Sequence, residues 1–187
     1  MTIASQRLTL DEFLAKYEHD PILEYAQGVV TERLSASWDH GALQSLVGQA
    51  INAVAWPRRL GIALSSLRIT DQDTDVSRIP DLSVFAWDRI ERDPVARRRG
   101  AFSAPDVAIE ILSPGQTRSS QIKGCREFVA SGSRAALLFE PDARTITAVR
   151  PNTVERSYGE SDHLDLGDII PGLTLDIGAL FADMSFE

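Results

Sequence analysis

Two acidic residues and a lysine have the types and placement to support hydrolytic chemistry. Asp81, in Pro80-Asp81-Leu82, stands at the mouth of a strand-like run. Glu110 interrupts the apolar run Ala108-Ile109-Glu110-Ile111-Leu112, and Lys123 follows on the next helical segment. A carboxylate in a strand apolar enough to be covered on both faces loses hydration, so it must be paired, protonated or bound to a metal. With Asp81 on a neighbouring strand, the two carboxylates converge with the main-chain carbonyl of Ile111. Such an oxygen-only donor set suits Mg²⁺ or Mn²⁺, which keep several waters for a substrate and a nucleophile. The alternative is structural: Glu110 pairs with an arginine such as Arg68 or Arg126, and Asp81 caps a strand.

The elements that must position these groups are legible in outline. Thr9-Leu10-Asp11-Glu12 has the form of a capping box and predicts a short helix to about Tyr17, closed by Pro21. Ile22 to Ala26 and Val29 to Leu34, separated by Gln27-Gly28, predict a hairpin. Asp39 is a candidate cap for a longer helix to Trp56, stopped by Pro57, with Leu43, Leu46, Val47, Ala50, Ile51 and Val54 as its buried stripe. Ile62 to Ile69 is an expected strand, and the Asp-rich stretch Thr70 to Arg78 an expected loop. Leu82 to Trp87 and Val107 to Leu112 predict central strands, with the arginine-rich Asp88 to Ala104 outside the core. A helix over about Ser119 to Ala130 follows, with Gly132 at its C-terminal cap. Ala135 to Phe139 and Thr145 to Arg150 predict a second hairpin, and a last short helix starts near Asp176. The order describes one α/β (α+β) domain over residues 1–187: a mixed central sheet flanked by helices, with an N-terminal helix and hairpin.

Composition narrows the function classes. The chain has 187 residues, 43% hydrophobic, enough for one ordinary globular core. It carries 19 basic against 27 acidic residues, so it is not built to coat nucleic acid, although a local site can oppose the overall charge. The lone Cys125 excludes an internal disulfide and a cysteine-built zinc site, and His19, His40 and His163 form no HExxH motif. No apolar run reaches the ~18 residues of a membrane span, and Met1 to Leu10 lacks the order of a signal peptide. A cytoplasmic protein with no membrane association is expected.

At the acidic residues the chain resembles the Uma-type restriction endonuclease-like family of the PD-(D/E)xK nuclease superfamily. The resemblance spans nearly the whole chain. It rests on Thr9 to Phe13, the Glu24 to Gly28 hairpin, His40, Pro80-Asp81-Leu82, the run Pro105-Asp106 to Ser113-Pro114, Phe139-Glu140-Pro141 and Pro171-Gly172-Leu173. It implies a restriction-endonuclease-like core with Asp81 and Glu110 as metal ligands and Lys123 as the catalytic lysine. Lys123 precedes Phe128 by one residue more than is usual in the family, leaving Gly124 at the expected position. Glu24 is implied to complete the metal's outer shell, and His40 to touch a phosphate or a metal-bound water. The activity implied is Mg²⁺- or Mn²⁺-assisted hydrolysis of DNA by a homodimer.

Local charge suggests where a substrate would lie. Arg89, Arg92 and Arg97 to Arg99 make one basic segment, and Arg118, Lys123, Arg126 and Arg134 another. Both adjoin the acid-bearing strands, so Arg118 and Arg126 are candidates to grip phosphates. A solvated charged loop is the alternative for the first segment. Trp38 to Trp56 and the acidic tail are candidates for the subunit contact. The competing reading of the whole chain is a catalytically inactive nuclease-fold module for nucleic-acid binding or assembly.

Overall fold

A computed structural model describes residues 7–34, 36–94, 97, 102–182 and 184. Arg98, Arg99 and the end of the acidic tail lie outside the described residues.

Helix α1 (Leu10–Tyr17) starts at the expected capping box, with Thr9 Oγ1 accepting from the Glu12 amide and Glu12 reaching back to the Thr9 amide. Strands β1 (Leu23–Ala26) and β2 (Val29–Glu32) form the first hairpin. Its turn residues Gln27 and Gly28 have φ of 50° and 87°, the left-handed pair that matches the twist of a two-residue hairpin. Helix α2 (Trp38–Ala55) is capped by Ser37 rather than Asp39, because the Ser37 hydroxyl accepts from the His40 amide. It buries Leu43, Val47, Ile51 and Ala55. Only its ends, Trp38 and Trp56, are strongly exposed aromatics, so the expected exposed stretch between them is instead a core-facing helix.

The strand expected over Ile62 to Ile69 divides. Strand β3 (Gly61–Ser65) ends where Ser66 turns to φ 55°, and β4 (Ile69–Asp71) begins a second hairpin with β5 (Val76–Arg78). The Asp-rich segment expected as a loop therefore contains two strands. Asp71 supplies the reason, accepting from the Thr74 hydroxyl at 2.5 Å and the Asp73 amide at 3.1 Å and closing the turn with its own carboxylate.

Strands β6 (Leu82–Ala86) and β7 (Val107–Ile111), helix α3 (Arg118–Ala130), and strands β8 (Ala135–Glu140) and β9 (Thr145–Val149) follow as expected. Ala104, in the segment expected outside the core, is buried. Short strands β10 (Arg156–Tyr158), β11 (His163–Asp165) and β12 (Thr174–Asp176) precede helix α4 (Ile177–Ala182).

The central sheet has the order β10-β9-β8-β7-β6-β3. Its β7–β8 pair is parallel, with α3 as the crossover, and its other pairs are antiparallel. Alternation along β7 sends Val107, Ile109 and Ile111 into the core shared with α2 and α4, and Ala108 into the core beneath α3. Strands β2-β1-β5-β4 form a second sheet. Among the described residues, no helix is long and apolar enough to cross a membrane.

The sheet leaves no room at one glycine. A Cβ on Gly61 would stand 2.5 Å from the Phe85 carbonyl oxygen and 2.8 Å from Ile170 Cδ1. Gly61→Ala should destabilise the fold by about 1–3 kcal/mol, read as a lower urea midpoint with an unchanged slope.

Candidate active site

The antiparallel register of β6 and β7 pairs Leu82 with Ile109. The next residues outward, Asp81 and Glu110, therefore stand opposite each other at one end of the sheet. Asp81 is 3% exposed, and both of its carboxylate oxygens are engaged. Oδ2 accepts from the Ile111 amide at 2.8 Å, and Oδ1 accepts from Arg33 Nη2 at 2.7 Å and lies 3.2 Å from His40 Nε2. The contact that Ile111 makes to Asp81 is thus through its N–H. Gln44 on α2 holds the Asp81 carbonyl at 2.7 Å.

His40 lines the cleft, and its ring is held on both sides by neighbouring side chains. Its Nδ1 is 2.7 Å from Ser113 Oγ, so both ring nitrogens are occupied and the ring is buried. With a neutral ring, the Ser113 hydroxyl donates to Nδ1 and Nε2–H donates to Asp81. His40 fixes the orientation of Asp81.

Glu24 enters from β1 on the second sheet. Its Oε1 accepts from the Ile79 amide at 2.9 Å and its Oε2 from Arg78 Nη1 at 3.3 Å, while Arg33 Nε is 3.8 Å from Oε1. Arg78 also contacts Glu127 on α3 at 2.5 Å. Burial opposes the charge on Arg78, but Glu24, Glu127 and Glu110 together raise its pKa.

Glu110 differs from its neighbours. Alternation places it on the α3 side of β7, where its charge also helps to raise the pKa of the buried Cys125 thiol. Among the described residues its carboxylate makes no hydrogen bond or ion pair. The arginines expected as structural partners are committed elsewhere. Arg68 is bound to the carbonyls of Glu18, Asp20 and Leu23, and Arg126 to Glu155 at 2.6 Å. Burial, with the charges of Asp81 and Glu24, pushes the Glu110 carboxyl well above the usual carboxylate range, against the opposing pull of Arg33 and Arg78.

Glu24, Arg33, Arg78, Asp81, Glu110 and Lys123 all line one cleft of about 1010 Å³. Lys123 stands at its rim, 68% exposed, with Nζ 3.7 Å from Glu127. Gly124, one residue further, is buried, and a Cβ there would meet Arg78 Nη1 at 3.9 Å. The expected phosphate-gripping arginines are not brought to the cleft. Arg118 pairs with Glu140 at 3.1 Å and Thr147 at 2.9 Å, and Arg126 lies with Glu155. Arg89 pairs with Asp106, and Arg97 lines a separate groove with Ile62 and Phe85. Topology explains the arginine-rich segment: Asp81 precedes β6 and Glu110 ends β7, so the segment joining these strands lies at the opposite end of the sheet. Arg33, Arg78 and Ser113 are site residues that spacing does not reveal. The only hint was Ser113, which belongs to the Leu-Ser-Pro run but reads locally as a strand breaker.

Among the described residues, no three His, Cys, Asp or Glu side chains form a ready-made metal cage. The donors with least commitment elsewhere are the part-buried Glu110 carboxylate, unpartnered among the described residues, and the Oδ1 edge of Asp81. One or two carboxylates with several waters is the donor set a Mg²⁺ ion takes, so the residues present fit such an ion. A carboxyl whose folded pKa is raised stabilises the fold below its unfolded pKa, and that contribution is lost as pH rises through the folded value. Glu110→Gln should therefore melt above wild type at pH 7–8, with the gap closing towards pH 4, read at roughly 2–4 °C per kcal/mol. A structural ion pair would give the opposite sign.

The family model described as "Putative restriction endonuclease", Uma2, matches residues 10–178. The crystal structure of a "putative nuclease belonging to DUF820" from Anabaena variabilis ATCC 29413 is similar, with a TM-score of 0.85 and 33% sequence identity. The match covers 95% of this chain and 99% of that one. No curated protein matches the chain. The mixed sheet with its flanking helices is a restriction-endonuclease-like fold, and the chain belongs to the Uma2 family.

Proposed function

We propose that the cleft is the active site of a Mg²⁺- or Mn²⁺-dependent endonuclease that hydrolyses DNA phosphodiester bonds, with Glu110 and Asp81 holding the ion and the Ile111 carbonyl beside them. The observation that carries this reading is the part-buried Glu110, without a hydrogen-bond or ion-pair partner among the described residues, opposite Asp81 in a cleft flanked by cations. When bound, the ion supplies Lewis-acid polarisation of the phosphate and a lowered pKa for water.

The chain's own groups have separate tasks in this reading. His40, held by Ser113, keeps Asp81 in one orientation, so that little reorganisation is needed when the substrate arrives. Glu24 holds Arg78 and the Ile79 amide, which ties the second sheet to the strand end that carries Asp81. Lys123, at the rim, is long enough to swing from Glu127 to a phosphate oxygen and balance developing negative charge. A duplex cut on both strands is best served by two copies of the site related by a two-fold axis, which makes a homodimer the expected assembly.

The exposed position of Lys123 favours a second reading, a nuclease-fold module that binds nucleic acid without cutting it. Cleavage of plasmid DNA in Mn²⁺ or Mg²⁺ separates the two. Asp81→Asn and Glu110→Gln should each lower the rate by at least about 100-fold, beyond the range typical of groups that only support a ligand. Equal nicking by wild type and both variants would assign the activity to a contaminant.

Lys123→Met provides an independent check. Because Lys123 is exposed and paired only across one helical turn, the melting temperature should hold within the error of a surface change, about 0.5 kcal/mol. Cleavage should fall by roughly 100-fold or more if its charge meets the phosphate.

A further inference from the structure

We propose that Arg33 is an exchangeable cation of this site. Without nucleic acid its guanidinium holds the open edge of Asp81; a backbone phosphate entering the cleft draws it away, so that divalent metal and nucleic acid bind cooperatively. This inference rests on the reading of Asp81 and Glu110 as a metal site.

The geometry of Asp81 leaves a metal ion one approach. Oδ2 is taken by the Ile111 amide, a main-chain donor fixed in the central sheet. Oδ1 is the remaining edge; His40 Nε2 approaches it from α2 at 3.2 Å, and Arg33 Nη2 covers its cleft side at 2.7 Å. A divalent cation and a guanidinium cannot share that oxygen without close repulsion between like charges in a part-buried site. Arg33 is therefore a competitor of any ion that Asp81 binds.

Of the two arginines paired with the site's acids, Arg33 is the one free to leave. Arg78 is clamped between Glu24 and Glu127, one carboxylate on each terminal nitrogen. Arg33 is one residue past the end of β2, and its amide is anchored to the Ile22 carbonyl at 2.7 Å, so the side chain can swing without breaking the hairpin. Its side chain is 24% exposed and lines the cleft, and its second contact, to Glu24, is a loose 3.8 Å. A guanidinium matches two phosphate oxygens as well as it matches a carboxylate, so a phosphate offers Arg33 a comparable partner. If the phosphate takes Arg33 and uncovers the cleft side of Oδ1, with His40 still holding the carboxylate, each ligand raises the affinity of the other by the same factor.

The test is Mn²⁺ binding by calorimetry, with and without a phosphorothioate duplex that resists hydrolysis, for wild type, Arg33→Gln and Arg33→Lys. Wild type should bind Mn²⁺ about tenfold or more tightly when the duplex is present. Arg33→Gln should bind Mn²⁺ about tenfold or more tightly than wild type in the absence of DNA, and should gain less from the duplex. Arg33→Lys, which keeps the charge but loses the planar fork, should fall between them, and melting curves confirm that each variant is folded. An Arg33→Gln protein that is folded but binds Mn²⁺ no better than wild type overturns the exchange while leaving the metal site standing. Absence of Mn²⁺ binding in all three folded proteins, with or without duplex, overturns the metal site and the exchange together.

Discussion

An ionisable carboxyl near the end of an apolar strand, without a hydrogen-bond or ion-pair partner among the described residues, is the constraint around which this molecule is organised. Burying Glu110 disfavours its charged form, and the nearby acids Asp81 and Glu24 add to that penalty. The fold tolerates it because the rest of β7 is fully committed to the core. Val107, Ile109 and Ile111 pack against α2 and α4, and Ala108 packs beneath α3. Strand alternation then leaves Glu110 no position except the cleft side. The cost is the kind that a functional site retains and that a purely structural strand has no reason to carry.

The surrounding charges follow from that choice. Three acids, Glu24, Asp81 and Glu110, are gathered from two sheets, and two arginines from the smaller sheet's hairpins offset them. Arg33 and Arg78 are not equivalent. Arg78 has a carboxylate at each end and braces β1 and β5 against α3, whereas Arg33 rests mainly on one oxygen of Asp81. The difference separates a brace from a movable group. His40 and Ser113 form a third kind of support, a chain of hydrogen bonds from the end of β7 through α2 to Asp81.

The two Pro-Asp pairs illustrate how place decides role. Asp81 and Asp106 have the same local sequence context and are similarly buried. Asp106 lies at the start of β7, where it accepts from the Ala86 amide at 2.8 Å and Arg89 at 3.1 Å, and it serves only to join strand ends. Asp81 lies at the other end of the sheet, where the β1–β2 hairpin and α3 leave a cleft.

Much of this was readable from residues in order. The Thr9 capping box, the Gln27-Gly28 turn, the apolar strands and the misfit of Glu110 within one of them are properties of neighbours along the chain, so sequence alone determined the main elements and singled out Asp81 and Glu110, while Glu24 entered through the family resemblance. The hairpin at Asp71 to Asp75 was not readable in this way, because polar residues there close a turn with their own side chains. Partners were beyond reach for a deeper reason. Arg33 and Asp81 stand 48 positions apart along the chain, and His40 and Ser113 stand 73 apart. Whether Arg118 faces a cleft or Glu140 depends on how α3 packs over the sheet, a balance of many weak long-range contacts that no local pattern encodes. Tertiary structure alone decided which cations reach the acids, and among the described residues it left Glu110 without an ion pair.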